Sequence, residues 1–348
     1  HVLEAKTHGP APSLAGLSDA FHAEVLEAER RLAPLGCRLL SGAVHPWMDP
    51  DRETRIWPHE YTEEYPAFDR IFGVRGHGWS NLQSTHLNLP FGDDEQFGRL
   101  HAAIRLVLPI IPALAASSPF LDGRFTGYLD ARLETYRHNQ ARIPSITGQV
   151  IPERLFSEAD YRGLLQRIAE DIRPHDPEGK LDPLFLNSRG AIARFDRHAI
   201  EIRTIDIQES PAADLAVVGA IVALLRRLVA EETVPWTVQQ EWPEDLLAGI
   251  LHAVVRDGDQ ARIADADYLR MLGLRARDLP AGAAWRACCE AARDGFDEPA
   301  RAALAHILAE GPLARRLVAA AGTAPTRAAL TRSCRELASC LADNRLFG

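Results

Sequence analysis

The sequence lacks a long hydrophobic run. No apolar stretch of eighteen residues occurs in its 348 positions, and the most apolar segment, 104–116, contains one arginine and two prolines. A membrane-spanning helix needs about 20 apolar residues, and the first residues do not have the pattern of a secretory signal. We therefore expect a cytoplasmic protein with no membrane partner.

Cysteine is scarce and irregularly spaced. The chain has five cysteines, an odd number, and none of them forms a CxxC pair. This spacing fits neither a disulfide framework nor a zinc site, and it is typical of reduced thiols packed in helices. The cysteines are Cys37, Cys288, Cys289, Cys334 and Cys340.

Positive charge is in deficit. Lysine and arginine number 39 against 48 aspartate and glutamate residues, which gives a formal net charge of −9. Nucleic-acid binding depends on a basic face that neutralises phosphates, so a nucleic-acid partner is not expected. A local basic pocket for a small anion stays compatible with this charge. The hydrophobic content of 46% excludes wholesale disorder.

The order of helices and strands predicts an α+β fold. Segments 83–91 and 198–208 alternate clearly as strands, and shorter strands are expected at 2–6 and 37–44. Strands and helices do not alternate regularly, so a mostly antiparallel sheet with flanking helices is the expected architecture. The predicted helices are 13–35, 94–117, 157–172 and 212–230. Ser13, Ser157 and Ser210 signal the starts of the first, third and fourth, and two prolines, Pro109 and Pro112, should kink the second.

The composition changes after Trp236. Residues 281–330 are rich in alanine and show no strand pattern. We therefore predict an α+β domain over residues 1–235, which carries the functional site, and a helical C-terminal subdomain over residues 236–348. No low-complexity linker separates the two parts, so we expect them to pack together.

The strand over 198–208 carries two charged residues on one face. Glu201 and Arg203 point to the same side, about 6.5 Å apart, while Ile200 and Ile202 point into a core. Two interpretations fit such a pair. The side chains form cross-strand ion pairs on a solvated face, or the carboxylate holds a hard cation while the guanidinium binds a phosphate. The residues alone leave both interpretations open.

Polar side chains on the other two strands extend this set. His86 and Asn88 share a face of the strand 83–91, and Glu4 lies on the predicted strand 2–6. Taken singly, each is more typical of a structural or surface position. If the three strands are neighbours, their polar faces would form a floor that suits Mg²⁺, which prefers carboxylate and phosphate oxygens.

Arginines are concentrated in the loops before the strand 198–208. Guanidinium groups bind carboxylates and phosphates bidentately, although solvent exposure is the commoner reason for a single arginine. The candidates are Arg124, Arg132, Arg137, Arg189 and Arg194, of which we expect the first and the last two to bind substrate. Glycine-rich nucleotide-binding motifs, the HExxH motif and the GxSxG motif are absent.

Five short motifs follow one another along residues 1–230. They are Leu3-Glu-Ala-Lys-Thr7, Gly42-Ala-Val-His-Pro46, Thr85-His-Leu-Asn88, Ser117-Ser-Pro-Phe-Leu-Asp-Gly-Arg-Phe-Thr-Gly-Tyr128 and Ile200-Glu-Ile-Arg-Thr-Ile-Asp206. In this order they resemble glutamate–cysteine ligase family 2, the bacterial carboxylate–amine ligase group with a glutamine-synthetase-like fold.

The resemblance implies an ATP-dependent ligase that forms an amide bond through an acyl phosphate. ATP and Mg²⁺ would lie on a curved, mostly antiparallel sheet. By position, the implied metal ligands are Glu4, His86 and Glu201. The implied nucleotide contacts are His86, Asn88 and Arg203, and Arg203 would contact phosphate. Either Arg132 or Arg137 matches the loop arginine that approaches substrate or phosphate.

The family pattern opens with a Gly-x-Glu-x-Glu strand whose carboxylates bind metal, and this sequence starts after that point. Because residue 1 is histidine, we expect the strand to lie upstream.

Two other interpretations of the function stay open. One is a ligase of the same fold for a different acid and amine, with segment 49–82 shaping the acceptor pocket. The other is an inert binding protein that lacks part of the metal site. Amino acids are the expected substrates, and a homodimer is compatible with the alanine-rich helices.

Overall fold

A three-stranded antiparallel sheet contains the two strands that the sequence predicts most clearly. The computed structural model describes residues 2–290 and 298–348. Strand β5 (Ala199–Asp206) lies between β1 (Ser84–Pro90) and β4 (Ala191–Arg194), and both neighbours run antiparallel to it. The predicted α+β class with an antiparallel sheet is therefore confirmed.

The other described elements are mainly helices. They are α1 (Leu17–Leu32), α2 (Pro50–Glu53), α3 (Glu64–Phe72), α4 (His77–Ser80), α5 (Asp94–Val107), α6 (Pro112–Ala115), α7 (Ala131–Tyr136), α8 (Glu158–Ile172), α9 (Pro183–Leu186), α10 (Pro211–Val229), α11 (Trp236–Gln240), α12 (Glu244–Asp257), α13 (Ala266–Met271), α14 (Ala281–Glu290), α15 (Glu298–Glu310), α16 (Leu313–Ala321) and α17 (Arg327–Asp343). Two small ladders pair β2 (Phe120–Leu121) with β3 (Arg124–Phe125) and β6 (Arg262–Ile263) with β7 (Leu279–Pro280). Among these helices, none has both the length and the apolar character needed to cross a bilayer.

Two predicted strands are not formed. Residues 2–6 are irregular and unpaired, and Val2 and Leu3 expose 68% and 60% of their surface. The segment predicted as a strand at 37–44 contacts helix α17 instead, because Arg38 and Ser41 donate side-chain hydrogen bonds to main-chain carbonyls of that helix. An alternating sequence becomes a strand only where a partner strand satisfies its main-chain groups.

Strand β5 contains one extra residue opposite β1. Thr85 pairs with Ile205 and Leu87 pairs with Ile202, so a step of two residues on β1 faces a step of three on β5. A bulge of this kind bends the strand and re-aims the side chains around it. The irregularity falls at Arg203, which is one of the candidate site residues.

Local signals locate two helix starts correctly. Ser157 accepts a hydrogen bond from the Asp160 N–H at the start of α8, and Ser210 accepts one from the Ala213 N–H at the start of α10. Pro211 is the first residue of α10, where its missing N–H has no cost. Both predicted starts are therefore confirmed.

Two other predicted helices differ from the structure. The helix predicted over 94–117 ends at Val107 and resumes at Pro112, because the prolines in this segment cannot donate the hydrogen bonds of a continuous helix. The helix predicted over 13–35 is shorter, and Gly16 rather than Ser13 precedes its first residue.

The hydrophobic core crosses the predicted domain boundary at residue 235. It includes Ile200 and Ile202 of β5, as predicted, together with Leu251 and Trp285 from the C-terminal helices. Where the structure describes it, the C-terminal third consists of helices, the short β6–β7 ladder and their connecting loops. The division into two domains stays a prediction.

A buried ion pair holds the C-terminal segment against the end of the sheet. Arg316 Nη1 donates to Glu209 Oε1 at 2.6 Å and to the Phe347 carbonyl at 2.7 Å. The Phe347 N–H donates to the same carboxylate, and Asn344 Oδ1 accepts from the Ala212 N–H in the first turn of α10. These contacts join α16 and the end of the chain to the segment that follows β5.

We expect His101 to make the free energy of unfolding depend on pH. Its side chain is fully buried, and neither ring nitrogen has a hydrogen-bonded partner. Burial and then the charge of Arg105 lower the pKa of His101 to about 3. The unfolded chain binds this proton near pH 6.5, so stability falls below that pH, by about 2 kcal/mol between pH 7 and pH 5.

Urea unfolding at pH 7 and pH 5 tests this assignment. His101→Leu should lose about 2 kcal/mol less than the wild type between these two pH values, because leucine takes up no proton. His8→Gln, at an exposed position, controls for the loss of a histidine as such. Equal losses in the wild type and in His101→Leu would contradict the assignment.

Candidate functional site

The sheet brings four candidate residues together in one place. Asn88 and Glu201 are direct cross-strand neighbours on β1 and β5. His86 Nδ1 lies 3.5 Å from Glu201 Oε1, and Arg203 Nε lies 3.3 Å from the same oxygen. We call His86, Asn88, Glu201 and Arg203 the polar patch. It combines a carboxylate, an imidazole, an amide and a guanidinium.

The polar patch is partly open to solvent. The side chains of His86 and Arg203 expose 35% and 29% of their surface, and that of Glu201 exposes 12%. Arg203 Nε is nevertheless buried, and it has no hydrogen bond of acceptable geometry even to Glu201. A buried N–H without a partner is costly, so this guanidinium retains a donor that an anion can satisfy.

His86 is held in its neutral form. Burial, followed by the positive charges of Arg203 and Arg132, lowers the pKa of His86 to about 3. Its Nε2 lies 3.0 Å from the Ser84 hydroxyl oxygen. At neutral pH the imidazole therefore adds hydrogen-bonding groups to the polar patch but no charge.

A buried ion pair connects the end of β5 to the first turn of α7. Arg132 Nε donates to Asp206 Oδ1, and both side chains are almost completely buried. Asp206 Oδ2 accepts from the Ser117 N–H at 2.9 Å and from the Ser118 hydroxyl at 2.8 Å. Two guanidinium nitrogens of Arg132 also lie 3.5 Å from the Arg203 carbonyl oxygen. Arg132 therefore contacts the main chain of the strand that carries the polar patch.

Asp130 adds a second buried carboxyl group beside this ion pair. Its Oδ1 accepts from the Leu133 N–H at 2.8 Å at the start of α7, and its Oδ2 is buried without a partner. Burial, followed by the charge of Asp206, raises the pKa of Asp130 well above its usual range. These surroundings therefore favour the uncharged form of Asp130, whereas the Asp206 carboxylate is the partner of Arg132.

Sequence reasoning missed both of these aspartates. The only available signal for Asp206 was its position at the end of the last motif, where an acidic residue follows a run of isoleucines. The position of Asp130 before α7 is typical of a helix N-cap. That role explains the hydrogen bond of Oδ1 but not the burial of Oδ2.

Three of the predicted arginines are dispersed around the loops. Arg137 forms an ion pair with Glu134 at 2.7 Å, and Arg194 lies 3.5 Å from Asp196. Arg124 is exposed on β3. Over residues 2–290 and 298–348, no ion pair joins any of these three to the polar patch.

Arg189 has a different position from the one that the sequence suggested. Its side chain is 1% exposed, and it binds the Glu153 carboxylate through Nε and Nη2. Its Nη1 donates to the carbonyls of Ser145 and Ile146, at 3.2 Å each. All three nitrogens donate inside the protein, so this geometry does not support the expectation that Arg189 binds substrate.

Glu4 does not join the polar patch in this conformation. It is exposed in the unpaired N-terminal segment. In the part of the chain that the structure describes, no group of three or more His, Cys, Asp or Glu side chains is arranged to hold a metal ion. The set of Glu4, His86 and Glu201 is therefore not assembled. Glu201 alone still suits Mg²⁺, which commonly takes one or two carboxylates from a protein and its other oxygens from phosphates and water.

The polar patch can bind an anion and a hard cation side by side. Arg203 offers an unsatisfied donor, Glu201 offers an anionic oxygen, and Asn88 can both donate and accept. Sites of phosphoryl transfer depend on this combination, because the reaction needs charge neutralisation and alignment more than covalent chemistry.

Comparisons with known proteins identify relatives of the chain. The model of glutamate–cysteine ligase family 2 matches residues 1–336. A protein of Archaeoglobus fulgidus described as uncharacterized is 36% identical over 261 residues, which cover 75% of this chain and 67% of that protein.

Two named relatives are more distant. A "Putative glutamate–cysteine ligase 2-1" of Nocardioides is 28% identical over 162 residues, which cover 47% of this chain and 38% of the relative. A "Putative glutamate–cysteine ligase 2" of Clavibacter michiganensis is 24% identical over 246 residues, which cover 67% of this chain and 58% of the relative. The similarity to these named relatives thus spans about two fifths to three fifths of their length.

We expect Arg132→Met to lower the free energy of unfolding by about 3–5 kcal/mol, because Asp206 would stay buried without its counter-charge. Arg137→Met is the matched control at the end of the same helix. Its ion pair with Glu134 is partly exposed, so its loss should stay within about 1 kcal/mol. Urea unfolding at pH 7 measures both variants, and equal small losses would show that the buried pair is not critical for stability.

Proposed function

The chain belongs to glutamate–cysteine ligase family 2, and on this basis we propose that it is an ATP-dependent carboxylate–amine ligase. The family supports a ligase-type function. The reaction would convert a carboxylate into an acyl phosphate, which an amine then attacks to form an amide. The observation that carries this proposal is the buried Arg203 Nε, which has no hydrogen bond although it lies 3.3 Å from the Glu201 carboxylate.

The chemistry explains why such a site is needed. Joining a free carboxylate to an amine is uphill in water, so the carboxylate must first be activated by phosphoryl transfer from ATP. That transfer spreads negative charge over the phosphoryl oxygens, and catalysis comes from alignment and from positive charge at those oxygens. No protein nucleophile is required, and the adjacent thiols of Cys288 and Cys289 are not activated as nucleophiles, because burial raises their pKa values.

Within the polar patch, Arg203 would donate to the oxygens of the transferred phosphoryl group. Glu201 would hold Mg²⁺ together with phosphate oxygens, with Glu4 as a second predicted ligand. Bound Mg²⁺ would neutralise charge on the phosphates. Neutral His86 and the Asn88 amide would form hydrogen bonds to the nucleotide or to water. Because neither carries a charge, Arg203 and Glu201 would be the charged groups of the polar patch.

The substrates that we propose are amino acids, and glutamate with cysteine is the first pair to test. Arg124 and Arg194 stay candidates for binding a substrate carboxylate, and Arg137 stays a candidate for approaching substrate or phosphate, because none of these guanidinium groups is fully buried. The segment 49–82 contacts the region after α7, since Asn139 Nδ2 donates to the Gly78 carbonyl. This contact supports a role for the segment in shaping the acceptor pocket.

The test is to trap the acyl phosphate. The full chain is incubated with ATP, Mg²⁺, hydroxylamine and one amino acid at a time, and hydroxamate and phosphate are measured. Glu201→Gln and Arg203→Lys should each lower hydroxamate formation by about 100-fold or more. The first removes the charge that would hold Mg²⁺, and the second keeps a positive charge but loses the planar, bidentate donors that would bind the phosphoryl oxygens.

Glu95→Gln is the matched control, because Glu95 forms an exposed ion pair with Arg99 on α5, and its activity should equal that of the wild type. Mass spectrometry of the products formed with different amines then separates a glutamate–cysteine ligase from a ligase for another pair. If the wild type binds ATP in calorimetry but forms no hydroxamate with any acid, the chain is an inert binding protein and the proposal fails.

A further inference from the structure

The main chain of Arg203 depends on a hydrogen bond from beyond the end of β4. Regular pairing of β4 with β5 ends at Ala191 and Ile202. One residue further, the Arg203 N–H donates to the Gly190 carbonyl at 2.9 Å. On the other side of β5, the bulge interrupts the pairing with β1 at the same position. Gly190 therefore fixes Arg203 where the regular ladder does not.

Gly190 is confined between β5 and a neighbouring loop. A Cβ atom at this position would lie 2.6 Å from Thr204 Cγ2 and 3.0 Å from Val150 Cγ1. The Gly190 N–H donates to the Val150 carbonyl at 2.7 Å. A glycine in a strand often marks such a close approach of another backbone. The position of Gly190, and with it that of Arg203, is therefore set by Val150.

Val150 has an unfavourable backbone conformation. Its φ is +69°, which is a rare value for a β-branched residue, and its side chain is buried. Such a conformation costs about 1–3 kcal/mol and persists only where the surrounding structure enforces it.

Arg189 binds both ends of the loop that contains Val150. It binds the Glu153 carboxylate on one side of Val150 and the carbonyls of Ser145 and Ile146 on the other. Its backbone is directly joined to Gly190. Arg189 therefore fixes the ends of the loop, and it directly precedes Gly190, which the loop contacts through Val150.

We propose that Arg189 is a positioning residue for Arg203. It holds the loop from Ser145 to Glu153 closed around Val150, Val150 places Gly190, and Gly190 sets the main chain of Arg203 beside Glu201. The inference rests on the phosphate-binding role of Arg203, and so on the proposed function. It replaces the expectation that Arg189 itself contacts substrate.

Three variants test the proposal: Arg189→Lys, Glu153→Gln and the two combined. Each single variant should lower kcat by about tenfold or more, while KM for the acid and the amine stays within about twofold, because a misplaced Arg203 affects the transferring phosphoryl group and not substrate binding. The kcat of the double variant should be no lower than that of the slower single variant, because both substitutions weaken the same contact.

Hydrogen-exchange mass spectrometry gives a second readout that does not depend on turnover. The peptide that contains β5 should exchange about tenfold faster in each variant, because the Arg203 N–H loses its fixed acceptor. Glu153 is 25% exposed, so Glu153→Gln keeps the test valid if Arg189→Lys does not fold. Ile172→Val in α8 is a control for a general loss of stability, and Arg162→Lys is a control for the replacement of an arginine.

Two results would overturn the proposal. The first is a raised KM for the acid or the amine in Arg189→Lys together with wild-type kinetics in Glu153→Gln, which would mean that Arg189 binds substrate directly. The second is unchanged exchange of β5 in all three variants. If the wild type has no ligase turnover, the proposed function fails, whereas faster exchange of β5 would still support the positioning of Arg203 by Arg189.

Discussion

The ion pair between Arg132 and Asp206 is the interaction on which the candidate site depends. It joins the end of the central strand to the first turn of α7, in a region where both charges are shielded from water. The Ser117 N–H and the Ser118 hydroxyl donate two further hydrogen bonds to the Asp206 carboxylate. Burial and the neighbouring charge of Asp206 raise the pKa of Asp130, which favours a cluster with one positive and one negative charge, the balance that makes burial of an ion pair tolerable.

The same cation influences the polar patch at a distance. Burial, followed by the charges of Arg203 and Arg132, lowers the pKa of His86, so the patch contains a guanidinium, a carboxylate and a neutral imidazole. Arg203 is held through its main chain, by Gly190 on one side and close to Arg132 on the other, while its Nε is left without a partner. A fixed backbone and an unsatisfied side-chain donor are the features that the proposed phosphate-binding role of Arg203 requires.

The sheet that carries these residues is small, and helices supply most of the core. Isoleucines of β5 pack into a hydrophobic cluster that continues into the C-terminal helices, and the pair Arg316–Glu209 fixes the last segment to the same region. The alanine-rich part of the chain therefore supports the site physically, although no polar-patch residue comes from it. The strain at Val150 lies at the point where β4 meets β5, and this core is what can sustain it.

Much of the fold could be predicted from local patterns. The alternation of β1 and β5, the caps Ser157 and Ser210 and the interruption of a helix by proline depend on neighbours only a few residues apart. The strand predicted at residues 2–6 did not form, because its pattern says nothing about whether a partner strand is present. Arg189 was predicted to bind substrate, because its place in the sequence does not show that the Glu153 carboxylate already binds its guanidinium group.

The sequence by itself determined the family, the α+β class and the side-chain faces of two strands, because motif order and periodicity of two are properties of the chain alone. Only the tertiary structure decided which of ten candidate residues meet. The register of β1 against β5 brings Asn88 to Glu201, and the bulge places Arg203 beside His86. Such contacts join residues more than a hundred positions apart, so they depend on how the helices and loops pack and not on any local pattern.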